Sequence, residues 1–254
     1  MILWLVKRRK GLRVGILIIG SLLWHDGQGD IRKRWREERL LIDEAITVVA
    51  PIRYGRKSVS RTDTYTMVLS MKAQNGRAKV VPCKQPVNDG GELITEALHL
   101  WQAESQNSSA AAVSATWGCV GLKIRDGFKC SDEIMAKWAE MVKSSPEHFK
   151  IKHAHDELPV IDNSGILQFW PSKADGEPLT EIDALLVACN QPTLTAKDEY
   201  ADPYDIAKAW LKSPDHDHYF YKNTEHGIKT FEDDAILEEI WRAHHGGCGG
   251  PIVC

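Results

Sequence analysis

Ile52 to Arg61 places four cations, a tyrosine and two serines in ten consecutive positions. The chain as a whole carries 32 Lys and Arg against 35 Asp and Glu, a formal charge of −3, so this positive cluster is local. Arginine forks take up carboxylate or phosphate through two parallel hydrogen bonds, and Gly55 permits a turn that would aim them inward. Arg53, Tyr54, Arg56, Ser58 and Arg61 are therefore candidate binding residues for a small anionic substrate. The same run also fits a solvated hairpin loop or a sheet edge protected by charge. It does not discriminate a carboxylated peptide from a nucleotide.

A second candidate is Ile19-Gly20-Ser21-Leu22-Leu23-Trp24, at the end of an apolar stretch. Glycine there lets backbone N–H groups approach a ligand, and Ser21 adds a hydroxyl, a combination that cradles carboxylates or phosphates. Alone, Gly-Ser after a strand is also an ordinary tight turn.

Three histidine groups carry metal-ligand chemistry: His153-Ala154-His155-Asp156, Asp215-His216-Asp217-His218, and His244-His245 with Cys248. Imidazole and carboxylate are good donors to zinc or iron. His216 and His218 would share one face if they lay on a strand, as a metal-dependent hydrolase would need. No motif supplies a third ligand, so the expectation is no metal and no cofactor. Cys119, within Trp117-Gly118-Cys119-Val120-Gly121, has apolar neighbours and reads as core filler, because a reactive thiolate needs an electropositive, partly exposed setting.

The elements that must position these residues follow from pattern. Leu12 to Ile19 reads as a strand covered on both faces. Asp30 is placed to cap a short helix to Arg39 anchored by Trp35. Ala45 to Arg53 and Thr64 to Met71 read as strands, with Tyr54 to Asp63 a polar loop between them. Asn75-Gly76 is a hairpin signal that would return Ala78 to Cys83 beside Thr64 to Met71. Leu93, Ile94, Ala97, Leu98 and Trp101 have helical spacing across Glu92 to Gln106. Val113 to Ile124 reads as a strand, Asp132 to Ser144 as a capped helix, Ile166 to Trp170 as a short strand and Ile182 to Cys189 as a longer one. Tyr204 to Leu211 and Asp233 to His245 read as helices joined by an aromatic, histidine-rich piece, followed by a tail from Gly246.

The strand running into Gly20-Ser21-Leu22 and Trp24, then a polar loop, an Arg-rich segment and the Ala50-Pro51 strand, resembles the γ-glutamylcyclotransferase-like family, its glutathione-degrading ChaC-like branch in particular. The resemblance covers Leu12 to about Ile124. It implies a barrel-like fold in which the backbone of Gly20, Ser21 and Leu22 holds the α-carboxylate of a γ-glutamyl group. It also implies an acidic residue that deprotonates the α-amine, which then closes 5-oxoproline on the side-chain carbonyl without a metal. Leu100-Trp101-Gln102-Ala103-Glu104 is similar in spacing to the family's segment around that acid. Glu104 is thereby the implied base, with Glu96 the alternative, and Arg53 or Arg56 would neutralise a second anionic group.

Composition sets the outer bounds. At 254 residues with 43% hydrophobic and 26% charged residues, the chain can bury a sizeable core and is not of a disordered or fibrous class. Its charge gives no case for a nucleic-acid binder, and the nine tryptophans read as core anchors. Val14 to Trp24 is too short to span a bilayer, and no membrane partner is expected. Met1 to Val6 precede the charges Lys7 to Lys10, the reverse of a secretory signal. With six unpatterned cysteines that reads as reduced thiols and a cytoplasmic location. The expected architecture is α+β: a small mixed or antiparallel β-barrel with flanking helices over 1–190, and a C-terminal helical extension over 191–254 packed on it. The expected function is a γ-glutamylcyclotransferase-like enzyme. The alternative is a non-catalytic module binding an anionic metabolite, a nucleotide or a partner protein.

Overall fold

The computed structural model describes residues 11–213 and 216–245. In chain order these form Val14–Ile18 (β1), Ile31–Arg39 (α1), Ile46–Ser58 (β2), Thr64–Leu69 (β3), Asn75–Pro82 (β4), Gly90–Ser105 (α2) and Ser114–Ala115 (β5). Then follow Gly118–Ile124 (β6), Asp132–Lys143 (α3), Ser172–Lys173 (β7), Ala184–Asn190 (β8), Pro203–Lys212 (α4), His216–Glu225 (α5) and Asp233–His245 (α6).

β1 is apolar and buried along its whole length because it is a central strand. It pairs antiparallel with β4, Ile16 opposite Val81, and parallel with β8, Ile16 opposite Leu186. The mixed sheet runs β3-β2-β4-β1-β8-β6-β5, with β7 paired to β2. No ladder joins β3 to β5, so the sheet is open and the expected barrel is not formed. Helix α2 packs against β6 and β8, with α1 and α3 against α2. On the other flank α4 packs on β3, and α6 on α4. Among the described residues no helix is long and apolar enough to cross a membrane.

Several local expectations change. The Tyr54 to Asp63 stretch is largely strand: β2 continues through the basic run to Ser58, because β3 pairs with it from Ile52–Leu69 to Ser58–Thr64. A β-bulge at Gly55, between the Tyr54–Met67 and Arg56–Thr66 pairs, interrupts the alternation that would have made these residues legible as strand. Asn75-Gly76 opens β4 instead of turning a hairpin, and β4 pairs with β2 and β1, not β3. Val113 to Ile124 is split into β5 and β6 by a tight turn at Thr116 and Trp117. Ile166 to Trp170 makes only isolated bridges, Leu122–Ile166 and Ile161–Leu167.

Asp30 has a left-handed backbone and makes no side-chain cap. Side-chain caps form at three other helices: Asp89 accepts from the Glu92 N–H at 2.9 Å, Ser131 from that of Ile134 at 3.3 Å, and Asp202 from that of Asp205 at 2.8 Å. The N-terminal charge pattern of residues 1–10, Asp215, and the tail from Gly246 with Cys248 and Cys254 lie outside the described residues.

Candidate functional site

At the end of β1 the chain turns sharply. The Leu23 N–H donates to the Gly20 carbonyl at 3.1 Å, and those of Trp24 and His25 donate to the Ser21 carbonyl at 3.3 and 2.9 Å. Among the described residues nothing accepts from the N–H groups of Gly20, Ser21 or Leu22. Three successive amides are thus left for an anion. Gly20, Ser21 and Leu22 line a cavity of about 630 Å³, a volume suited to a small organic ligand.

A second wall comes from the last turn of α2. Glu104 lies there, its side chain 12% exposed. The Asn190 amide, at the end of β8, donates to Glu104 Oε1 at 2.8 Å. The buried Arg32 guanidinium lies 3.8 Å from Glu104 Oε2. Arg32 also donates from Nε to the Ala103 carbonyl at 2.9 Å, and from its two Nη atoms to Ser21 Oγ and the Glu104 carbonyl, both at 3.3 Å. One side chain of α1 therefore ties the turn to the carboxylate, and it satisfies carbonyls at a helix end that would otherwise be buried unpaired.

The third wall is β2, the segment after it, and β3. Arg56, Ser58, Arg61, Thr64 and Thr66 line the cavity. The Arg56 guanidinium lies 4.7 Å over the Trp117 ring, and Trp117 stacks on Trp101 of α2 at 4.7 Å and 27°. Burial pushes the Arg56 pKa down, opposed by the neighbouring Glu104 charge. Arg61 lies over Tyr219 at 4.8 Å and over Trp24 at 5.6 Å. Tyr219, from α5, accepts the Met67 N–H at 3.2 Å, and its burial raises the phenol pKa, so it is a neutral hydroxyl near pH 7.

Of the residues singled out in the sequence, Gly20, Ser21, Leu22, Arg56, Ser58, Arg61 and Glu104 share this cavity. Three others are elsewhere. Glu96 is buried in an ion pair with Arg39. Arg53 pairs with Glu232 and lies 4.3 Å over the Tyr200 ring. Tyr54 is fully buried, edge-on to Trp210 at 4.8 Å. Arg32, Asn190, Trp117 and Tyr219 were not foreseen. Asn190 and Tyr219 reach the site only through pairings distant in sequence, and Arg32 is in sequence one of several charges on a short helix.

His216 and His218 lie in a helix, where a spacing of two does not put residues on one face. His153 is buried against Glu157 at 3.9 Å, and His155 is exposed beside Asp156. Among the described residues no group of three His, Cys, Asp or Glu could hold a metal ion. Cys119 is buried, and desolvation pushes its thiol up to about 12, which makes it unreactive. Comparison with family models, with curated proteins and with solved structures returns no match.

Proposed function

We propose that the protein is a γ-glutamylcyclotransferase-like enzyme that releases 5-oxoproline from a γ-glutamyl amide or peptide. The observation that carries this reading is the placement of Glu104 in one cavity with the unbonded N–H groups of Gly20, Ser21 and Leu22. The turn receives the substrate α-carboxylate. Glu104 takes a proton from the adjacent α-ammonium, and the freed amine attacks the γ-carbonyl, forming the lactam C–N bond. The tetrahedral intermediate collapses as the old C–N bond breaks. The two protons shed by the ring nitrogen pass to the departing amine, with Glu104 as relay. The nucleophile and the carbonyl belong to one molecule, so folding the substrate into a reactive conformation supplies much of the acceleration.

The test is mass-spectrometric detection of 5-oxoproline after incubation with glutathione and a panel of γ-glutamyl amides. Product that is lost in Glu104→Gln supports the reading, and product at full rate in that variant removes Glu104 from the reaction.

The same unbonded amides favour a second reading, a binding module for an anionic metabolite or nucleotide with no base required. Ligand-induced stabilisation against heat without turnover of any substrate selects it.

A further inference from the structure

The end of β2 serves two cavities. Arg56 and Ser58 line the one already described, and Lys57 between them lines another, of about 490 Å³. β3 repeats the pattern: Thr64 and Thr66 line the first cavity, and Tyr65, opposite Lys57 in the ladder, lines the second. The strand period of two thus divides the basic run between two sites. The proposed reaction uses only one of them.

Helix α4 brings Lys208 and Lys212 to the second cavity, one turn apart on one helix face. Asp63 and Asp205 also line it. Among the described residues none of these five charged side chains is in an ion pair, although Asp205 and Lys208 have a helix spacing that allows one. The Lys57 ammonium lies 5.4 Å over the Tyr65 ring, and that of Lys208 5.6 Å over the Tyr204 ring.

The loop after β8 adds hydroxyls. The Thr193 N–H donates to the Gly55 carbonyl at 2.8 Å, and Thr193 Oγ1 accepts the Lys57 N–H at 3.1 Å, which pins the loop along β2. Thr195 Oγ1 accepts the Glu199 N–H at 3.3 Å. Both hydroxyls keep a proton to donate. The rim is completed by Thr62 and Asp63, both with left-handed backbones, φ 53° and 58°, a conformation that a β-branched residue rarely adopts and that is found at ligand clamps.

We propose that this second cavity binds a phosphorylated sugar, free or as part of a nucleotide. The three lysines act as point charges on the phosphate, joined by the threonine hydroxyls. Asp63 and Asp205 accept hydrogen bonds from the sugar hydroxyls. Two carboxylates in the same cleft repel a bare phosphate, so the sugar is part of what is recognised. The site stands apart from the cyclotransferase reading and does not depend on it.

The experiment is isothermal titration calorimetry of the full chain with ribose 5-phosphate, adenosine 5′-monophosphate, inorganic phosphate and ribose. Wild type should bind ribose 5-phosphate at least about tenfold more tightly than inorganic phosphate or ribose. The double variant Lys208→Gln, Lys212→Gln should weaken that binding about tenfold or more. The double variant Asp63→Asn, Asp205→Asn should bind inorganic phosphate more tightly than wild type does and lose most of the preference for the sugar. All four positions are exposed, so these variants keep the fold. Arg56→Gln, which alters the first cavity, should leave the binding unchanged. Tighter binding of adenosine 5′-monophosphate than of ribose 5-phosphate identifies a nucleotide as the source, and the reverse order a free sugar phosphate. The proposal is overturned if neither phosphorylated sugar binds at millimolar concentration, if the lysine double variant binds as wild type does, or if Arg56→Gln abolishes the binding.

Discussion

The hydroxyl of Tyr219 occupies the space that a side chain at Gly20 would need: a Cβ there would lie 2.7 Å from it. The turn that ends β1 is thus fitted to a tyrosine from α5, and the phenol is itself fixed by the Met67 N–H. Gly20→Ala should destabilise the protein by about 1–3 kcal/mol through overpacking, and Tyr219→Phe by about 1 kcal/mol through a lost hydrogen bond. Their combination should cost less than the sum, because removing the hydroxyl makes room for the methyl group. Urea unfolding of the four proteins in a double-mutant cycle measures the coupling; strict additivity would show that the two residues do not meet.

Arg32 reaches Ser21 Oγ, the Ala103 and Glu104 carbonyls and the neighbourhood of the Glu104 carboxylate at once. Arg32→Met should cost roughly 3–5 kcal/mol, since it leaves a shielded carboxylate without its cation. Arg32→Lys keeps the charge and loses the fork. It should fold, and under the proposed cyclotransferase reaction it should form 5-oxoproline about tenfold to a hundredfold more slowly, from misplacement of Glu104 and the turn. Equal rates in Arg32→Lys and wild type would remove Arg32 from the positioning of either.

Gly76 meets backbone as well as side chain. A Cβ there would run into the Lys229 carbonyl oxygen and lie 2.7 Å from Ile52 Cγ1 and 3.0 Å from Thr230 Cα, next to the Arg77–Lys229 bridge that ties β4 to the chain before α6. Backbone cannot rotate away, so Gly76→Ala should cost about 3 kcal/mol or more. Hydrogen exchange should show faster exchange at Arg77 and Lys229 first, because their two mutual bonds are the ones prised apart.

Asp233 accepts from the Thr230 N–H at 2.9 Å and from its hydroxyl at 2.5 Å, yet burial raises its pKa to about 6. The folded state therefore holds this proton more tightly than the unfolded chain does. The resulting stabilisation is complete below about pH 4 and is lost as pH rises through about 6. Raising this carboxyl from its ordinary value to about 6 corresponds to about 3 kcal/mol. The stability of wild type relative to Asp233→Asn should decline between pH 4 and pH 7, as measured by urea denaturation across that range. A pH-independent difference would contradict the assignment.

The parts of this molecule that were legible in its sequence are those fixed by neighbours in the chain. Helix α2 follows from its apolar spacing, and β1 from an apolar run that reads as a strand covered on both faces. The Gly20 turn was visible as glycine and serine after that strand. What was not legible depends on distant partners. β2 continues through Arg56 and Lys57 because β3 pairs with them around the Gly55 bulge, and a basic stretch with broken alternation carries no sign of that. Glu96 and Glu104 sit on one helix with similar local surroundings in sequence. Arg39 claims the first and Arg32 with Asn190 surround the second, a distinction made entirely by side chains from elsewhere.

The parallel pairing of β1 with β8 carries a cost during synthesis. Arg13 and Asp183, which bond across the start of that pair, are 170 positions apart. At cellular translation speeds, β1 waits roughly ten to thirty seconds for its second neighbour. β4 arrives early and covers one edge; the other, among the most apolar strands in the protein, stays open to pairing with foreign chains. Newly made chains should therefore lean on holdase chaperones until about residue 190 has emerged, and ribosome-bound intermediates shorter than that should be the aggregation-prone species.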